Sequence, residues 1–188
     1  MKKKILFINR KAEHCGVLDY GRRLHDIVKK SENFDVVFCE VDNQNDFVDC
    51  FNKNSPDIIL YNYIAQVFPF LTSALIGPIR SIPHIIIYHE GMVHFSPNGF
   101  LHIDSTKNDV KSNREFSLPR PIFEDVEFEA CQPNDVPTIG SFGFGFPDKN
   151  FPKIADLVCE QFDEAVIRLN IPFATFGDSN GILAKNEI

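Results

Sequence analysis

Residues 4–41 read KILFINRKAEHCGVLDYGRRLHDIVKKSENFDVVFCEV, and their pattern decides the fold. Lys4–Asn9 carries the unbroken apolar run Ile5-Leu6-Phe7-Ile8 and stops at polar residues, as a short strand covered on both faces does. From Gly16 to Ser31 the residues Val17, Tyr20, Leu24, Ile27 and Val28 fall at helical spacing, with Arg and Lys on the other side. Lys29-Lys30 sits in the last turn, where cations suit the helix dipole. Phe34–Val41 then returns to a strand rich in Val and Phe. Strand, helix and strand at this spacing form a right-handed βαβ unit, and so a parallel sheet.

The alternation continues outward. Asn45–Asn54 fits a helix with Phe47, Val48 and Phe51 inward, and Asp57–Tyr61, introduced by Ser55-Pro56, fits a third strand. Gln66–Ile79 reads as helical with a break near Pro69, and His84–Tyr88, preceded by Pro83, as a fourth strand. Residues 91–137 are polar and Pro-rich around a short strand at Phe100–Ile103. Asp104–Phe116 reads as an exposed loop and Asn134–Pro137 as a linker. A second strand–helix–strand follows. Its strand is Thr138–Phe142, its helix Pro152–Phe162 with Ile154, Leu157, Val158 and Phe162 on one face, and its last strand Ala165–Leu169. The expected architecture is therefore α/β. Residues 1–133 form a Rossmann-like parallel sheet with flanking helices, and residues 138–188 a partial second α/β unit.

Composition narrows the function classes. The 188 residues carry a formal net charge of −7, which argues against a nucleic-acid partner, since such proteins present a basic face. The apolar run after Lys2-Lys3-Lys4 is one strand long, too short for a signal peptide or a membrane span, so the expectation is a cytoplasmic protein without a span. The five cysteines, at 15, 39, 50, 131 and 159, are odd in number and form no CxxC pair. Neither a disulfide framework nor a zinc site is expected, and Cys39 and Cys159 read as small buried hydrophobes.

Parallel sheets bind ligands beyond the carboxyl ends of their strands. That directs attention to Arg10–Cys15, Asp42–Asn45, Asn62–Ala65 and His89–Asn98. The first contains His14 and leads into Gly16, which either lets a ligand approach the helix N-terminus or merely permits a tight turn. His89-Glu90 directly follows the fourth strand, where a histidine can transfer a proton or be fixed by a backbone carbonyl. His89 and His94 lack HExxH spacing, so no metal is expected. Gly140-Ser141-Phe142-Gly143-Phe144-Gly145 with Lys149 can hold a diphosphate, or pack by its own aromatics. Neither GxGxxG nor the P-loop pattern occurs. A phosphorelay receiver would want acids where Asn9 and Asn62 stand.

Several stretches resemble GT-B glycosyltransferases of the group 1 type. They are the opening strand with His14-Cys15-Gly16-Val17 and Tyr20-Gly21-Arg22-Arg23-Leu24, the run Ile85–Gly91, Leu118–Ile122, and Ile139–Phe151. The resemblance implies transfer of a sugar from a nucleotide-sugar donor to a hydroxyl of a glycan or small-molecule acceptor. It implies no cofactor and no metal, since protein cations and helix ends stabilise the leaving diphosphate. It places His89 and Glu90 as catalytic, and His14, Gly16, Gly143 and Lys149 as substrate-binding. The family's second domain continues further and carries an acidic motif for the donor ribose, so the resemblance implies a truncated product, a fragment, or a protein with a reassigned role. The alternative is a non-catalytic binding or assembly protein reusing the first domain and self-associating through Phe142, Phe144, Phe146 and Phe151.

Overall fold

The computed structural model describes residues 2–11, 16–89, 92–103, 113–118, 135–143 and 149–171. The chain divides into two units, Met1–Ile122 and Phe123–Ile188, with the division earlier than the linker read at 134–137.

In the first unit, β1 (Lys3–Arg10), α1 (Gly16–Val28), β2 (Phe34–Val41), α2 (Gln44–Asn54), β3 (Ile58–Tyr63) and β4 (His84–Tyr88) follow the expected alternation. β5 (Gly99–His102) and β6 (Glu115–Ser117) complete a six-stranded sheet in the order β2-β1-β3-β4-β5-β6, parallel throughout. The unit is thus a Rossmann-like α/β fold. The chain leaves β1 for one edge and returns past it to β3, so the order reverses between β1 and β3.

Alternate side chains of the central strands feed two cores. Leu6, Ile8, Ile59, Tyr61 and Ile86 pack with Phe47 of α2 and with Phe68, Leu71 and Ile76 on one face. On the other, Phe7 and Ile87 pack with Leu24 of α1. Each such side chain contributes roughly 1.5–3 kcal/mol on burial. Helix α2 starts where the Asn43 side chain accepts from the Asn45 and Asp46 amides, and ends at Ser55 in the left-handed region.

Several expectations need correction. Of Gln66–Ile79 only α3 (Ser73–Ile76) is α-helical, followed by a 3-10 turn at Gly77–Ile79. Pro69 has no amide to donate, and the Thr72 side chain caps the helix after it by accepting from the Leu75 amide. Val67, Phe68 and Leu71 are buried from irregular backbone instead. Helix α1 ends at Val28, leaving Lys29-Lys30 in the turn beyond, and Ile27 is exposed while Leu18 and Gly21 are buried. The segment read as the loop Asp104–Phe116 contributes its end to β6.

In the second unit, β7 (Thr138–Phe142) and β8 (Val166–Asn170) pair in parallel, joined through α4 (Phe151–Gln161). The inward residues of α4 are Phe151 and Val158, a spacing of two turns, whereas Leu157, Phe162 and Cys159 are exposed. Phe151, expected in an exposed aromatic patch, is therefore a core residue, and Cys159 is not the buried hydrophobe expected. Phe144 and Phe146 lie outside the described residues. No helix among the described residues is long and apolar enough to cross a membrane.

Candidate functional site

On the α1 face of the sheet, the apolar layer Phe7, Leu60 and Ile87 is succeeded, two residues further along each strand, by Asn9, Asn62 and His89. Side chains two apart share a face, so these three lie on the α1 face as well. Asn62 is level with Ile87 in the register, which puts His89 two residues beyond it. The three stand at the carboxyl ends of β1, β3 and β4, where the strand order reverses. Such a reversal is where open α/β sheets form a ligand crevice. Asn9 and Asn62 are wholly buried, and His89 is half-buried.

The three side chains form one chain of hydrogen bonds. His89 Nε2 lies 2.6 Å from Asn62 Oδ1. Asn62 Nδ2 donates to Asn9 Oδ1 at 2.8 Å and to the carbonyl of Val17. Asn9 Nδ2 donates to the carbonyl of Leu18 at 3.1 Å. The carbonyls of α1's first turn thus hold both amides, and the Tyr20 and His89 rings meet in a T-shaped arrangement with centroids 5.0 Å apart. Left unmade, each buried polar contact would cost about 1–3 kcal/mol.

Two glycines share what the spacing suggests for Gly16 alone. Gly16 opens α1 and is exposed, and a Cβ there would meet nothing within 4 Å. A Cβ at Gly21 would stand 2.3 Å from Asn9 Oδ1 and 2.7 Å from Asn62 Nδ2. It is Gly21 that lets the helix settle on the amide pair. The sequence reading missed it because nothing local distinguishes a helical glycine that faces a strand. Asn9 enters the sequence analysis only as non-acidic, and Asn62 only as that and as the start of a rim loop, although two asparagines at the ends of adjacent apolar strands are the legible part of the signal.

Of the residues singled out for chemistry, His89 and Gly16 fall on the same rim. Val17, next to Gly16, and His89 both bond Asn62. His14 and Glu90 lie outside the described residues. The Asp42–Asn45 loop is accounted for by the cap of α2 and by Arg10, whose guanidinium pairs with Asp42 at 2.6 Å. Arg22 forks onto Glu40 at 2.6 and 3.1 Å, an exposed pair beside α1. Gly143 and Lys149 belong to the second unit and touch there. Gly143 has a φ of 137°, which favours glycine, and a Cβ on it would lie 3.4 Å from Lys149 Cε.

A fully buried histidine is structural. His84, at the start of β4, has Tyr61 Oη 2.9 Å from its Nδ1 and the Ile79 carbonyl 3.2 Å from its Nε2. Burial holds its ring below the ordinary histidine range and pushes the Tyr61 hydroxyl up. His102 packs with Tyr88 and Phe100, with Glu115 3.9 Å away. No group of three or more His, Cys, Asp or Glu among the described residues is placed to hold a metal ion.

The fold and the rim define a Rossmann-like α/β protein with a polar, histidine-bearing switch point. Comparison with known proteins finds no matching family model, no similar curated protein and no similar solved structure.

Proposed function

We propose that the first unit binds its ligand at the β1/β3 switch point and that the protein is a glycosyltransferase acting on a nucleotide sugar. The observation that carries this reading is the His89 imidazole, held 2.6 Å from Asn62 at the carboxyl end of β4 and beside the first turn of α1. An imidazole so placed can accept the proton of an acceptor hydroxyl as the hydroxyl attacks the sugar, and Glu90 follows it in sequence. The N-terminal turn of α1, from Gly16, offers amides and a partial positive charge to phosphate oxygens, with His14 just before it. In the second unit, Lys149 beside Gly143 is the candidate for the diphosphate. The donor is a substrate, and the chemistry requires no cofactor.

The test is thermal stabilisation by a panel of nucleotide sugars and free nucleotides. A ligand at about one hundred times its dissociation constant adds roughly 2.7 kcal/mol, and His89→Gln should retain binding while losing transfer. No stabilisation by any of the panel would overturn the reading. One observation favours a second reading, that of a non-catalytic assembly protein. Phe142 is 82% exposed, with Val166 also exposed, on the face of the β7–β8 pair whose alternate residues turn outward. Light scattering that showed self-association, together with indifference to the panel, would support it.

A further inference from the structure

The direction of every hydrogen bond around Asn62 is fixed by groups that have no choice. A backbone carbonyl only accepts. The Val17 carbonyl therefore faces the NH2 end of Asn62, and the Leu18 carbonyl faces the NH2 end of Asn9. Turning either amide over would set oxygen against oxygen in a buried site. With its nitrogen so assigned, Asn62 presents Oδ1 to His89, and that oxygen likewise only accepts. The nitrogen 2.6 Å from it must carry the hydrogen.

We infer that Asn62 is a positioning residue that keeps a proton on Nε2 of His89, so that any proton His89 exchanges passes through Nδ1. The backbone of α1 thereby sets the chemistry of a ring on β4, through two asparagines and no charged group. Gly21 is part of the device, because only without a Cβ can the helix bring those carbonyls to the amides. The inference rests on the proposed function only in treating His89 as the group that handles a proton. The proton's place on the ring is a separate matter of fact.

The test is nitrogen NMR on protein labelled with 15N-histidine at about pH 8.5, where an ordinary imidazole is neutral. The six histidines are told apart by the signals that disappear in His89→Gln. The expected result is a neutral His89 protonated on Nε2, with the Nδ1–H form below about one-tenth of the population. Asn62→Leu, which removes the acceptor oxygen, should raise the share of the Nδ1–H form. A wild-type ring protonated mainly on Nδ1, or an Asn62→Leu ring unchanged from wild type, overturns the inference. Should Asn62→Leu fail to fold, the wild type decides. Its Nε2–H proton should show an Overhauser contact to the Asn62 side chain, and lack of that contact overturns the proposal. Indifference to nucleotide sugars would leave these results untouched, so the two failures are distinguishable.

Discussion

Replacing Gly21 with alanine should destabilise the first unit, reversing the usual sign of that substitution. In an open helix interior, Gly→Ala gains about 1 kcal/mol. Here the new methyl would stand 2.3 Å from Asn9 Oδ1, 2.6 Å from Asn9 Cγ and 2.7 Å from Asn62 Nδ2. These atoms belong to short side chains fixed by hydrogen bonds at both ends, so they cannot swing away as the tip of a lysine could. Either α1 lifts from the sheet or the amide chain breaks. Overpacking costs roughly 1–3 kcal/mol, and a buried polar group left unmatched about 1–3 more. Net of the helix gain, the loss is about 1–5 kcal/mol. All four tyrosines, at 20, 61, 63 and 88, lie in the first unit and the chain has no tryptophan. Tyrosine fluorescence during urea unfolding therefore reports that unit alone. At about 2 kcal/mol per M of urea, the midpoint should fall by about 0.5–2.5 M. Gly16→Ala, where a Cβ meets nothing within 4 Å, is the control and should stay within about 0.5 kcal/mol of wild type. A Gly21→Ala protein as stable as wild type, or more so, refutes the packing argument.

Two further predictions concern titration. Burial lowers the folded-state value of His84, so between that value and about 6.5 the unfolded chain binds the extra proton and the folded chain does not. Stability should therefore fall as pH drops below about 6.5, and His84→Asn should be less stable near neutrality but less sensitive to pH. An equal pH dependence in both proteins would dissociate His84 from the effect. Burial, reinforced by a hydrogen bond with Cys50, pushes the Cys39 thiol up to about 12, whereas Cys159 is exposed. A thiol reagent at about pH 8 should label Cys159 well ahead of Cys39, with peptide mapping as the measurement and the reverse order as the refutation.

Local pattern located the regular elements well wherever period and punctuation agreed. Phe34–Val41, His84–Tyr88 and Thr138–Phe142 have the bounds the sequence suggests, because each is a short stretch rich in β-branched or aromatic residues, bounded by polar or Pro-containing segments. Reading failed where several faces were plausible. In α4 the apolar residues are dense enough to define two stripes, and the structure buries Phe151 and Val158 while leaving Leu157 and Phe162 exposed. In α1, Val17, Tyr20, Leu24 and Val28 face inward as the spacing suggests, but Ile27 does not, and Gly21, on which the helix docks, carries no local mark of that role. Between Gln66 and Thr72, buried Phe68 and Leu71 imitate helical spacing while Pro69 prevents the helix.

For the candidate site, the rim was legible and the connections were not. The sequence by itself determined a parallel α/β sheet, because the alternation of strand and helix periods admits few other arrangements, and it put His89 at a strand's carboxyl end. Only the tertiary structure decided that Asn9, Asn62 and His89 are neighbours and that Gly21 must lack a side chain. Those facts depend on strand order and on the rotation of α1 about its axis. Both are set by contacts between residues as many as 53 positions apart, which no local pattern encodes.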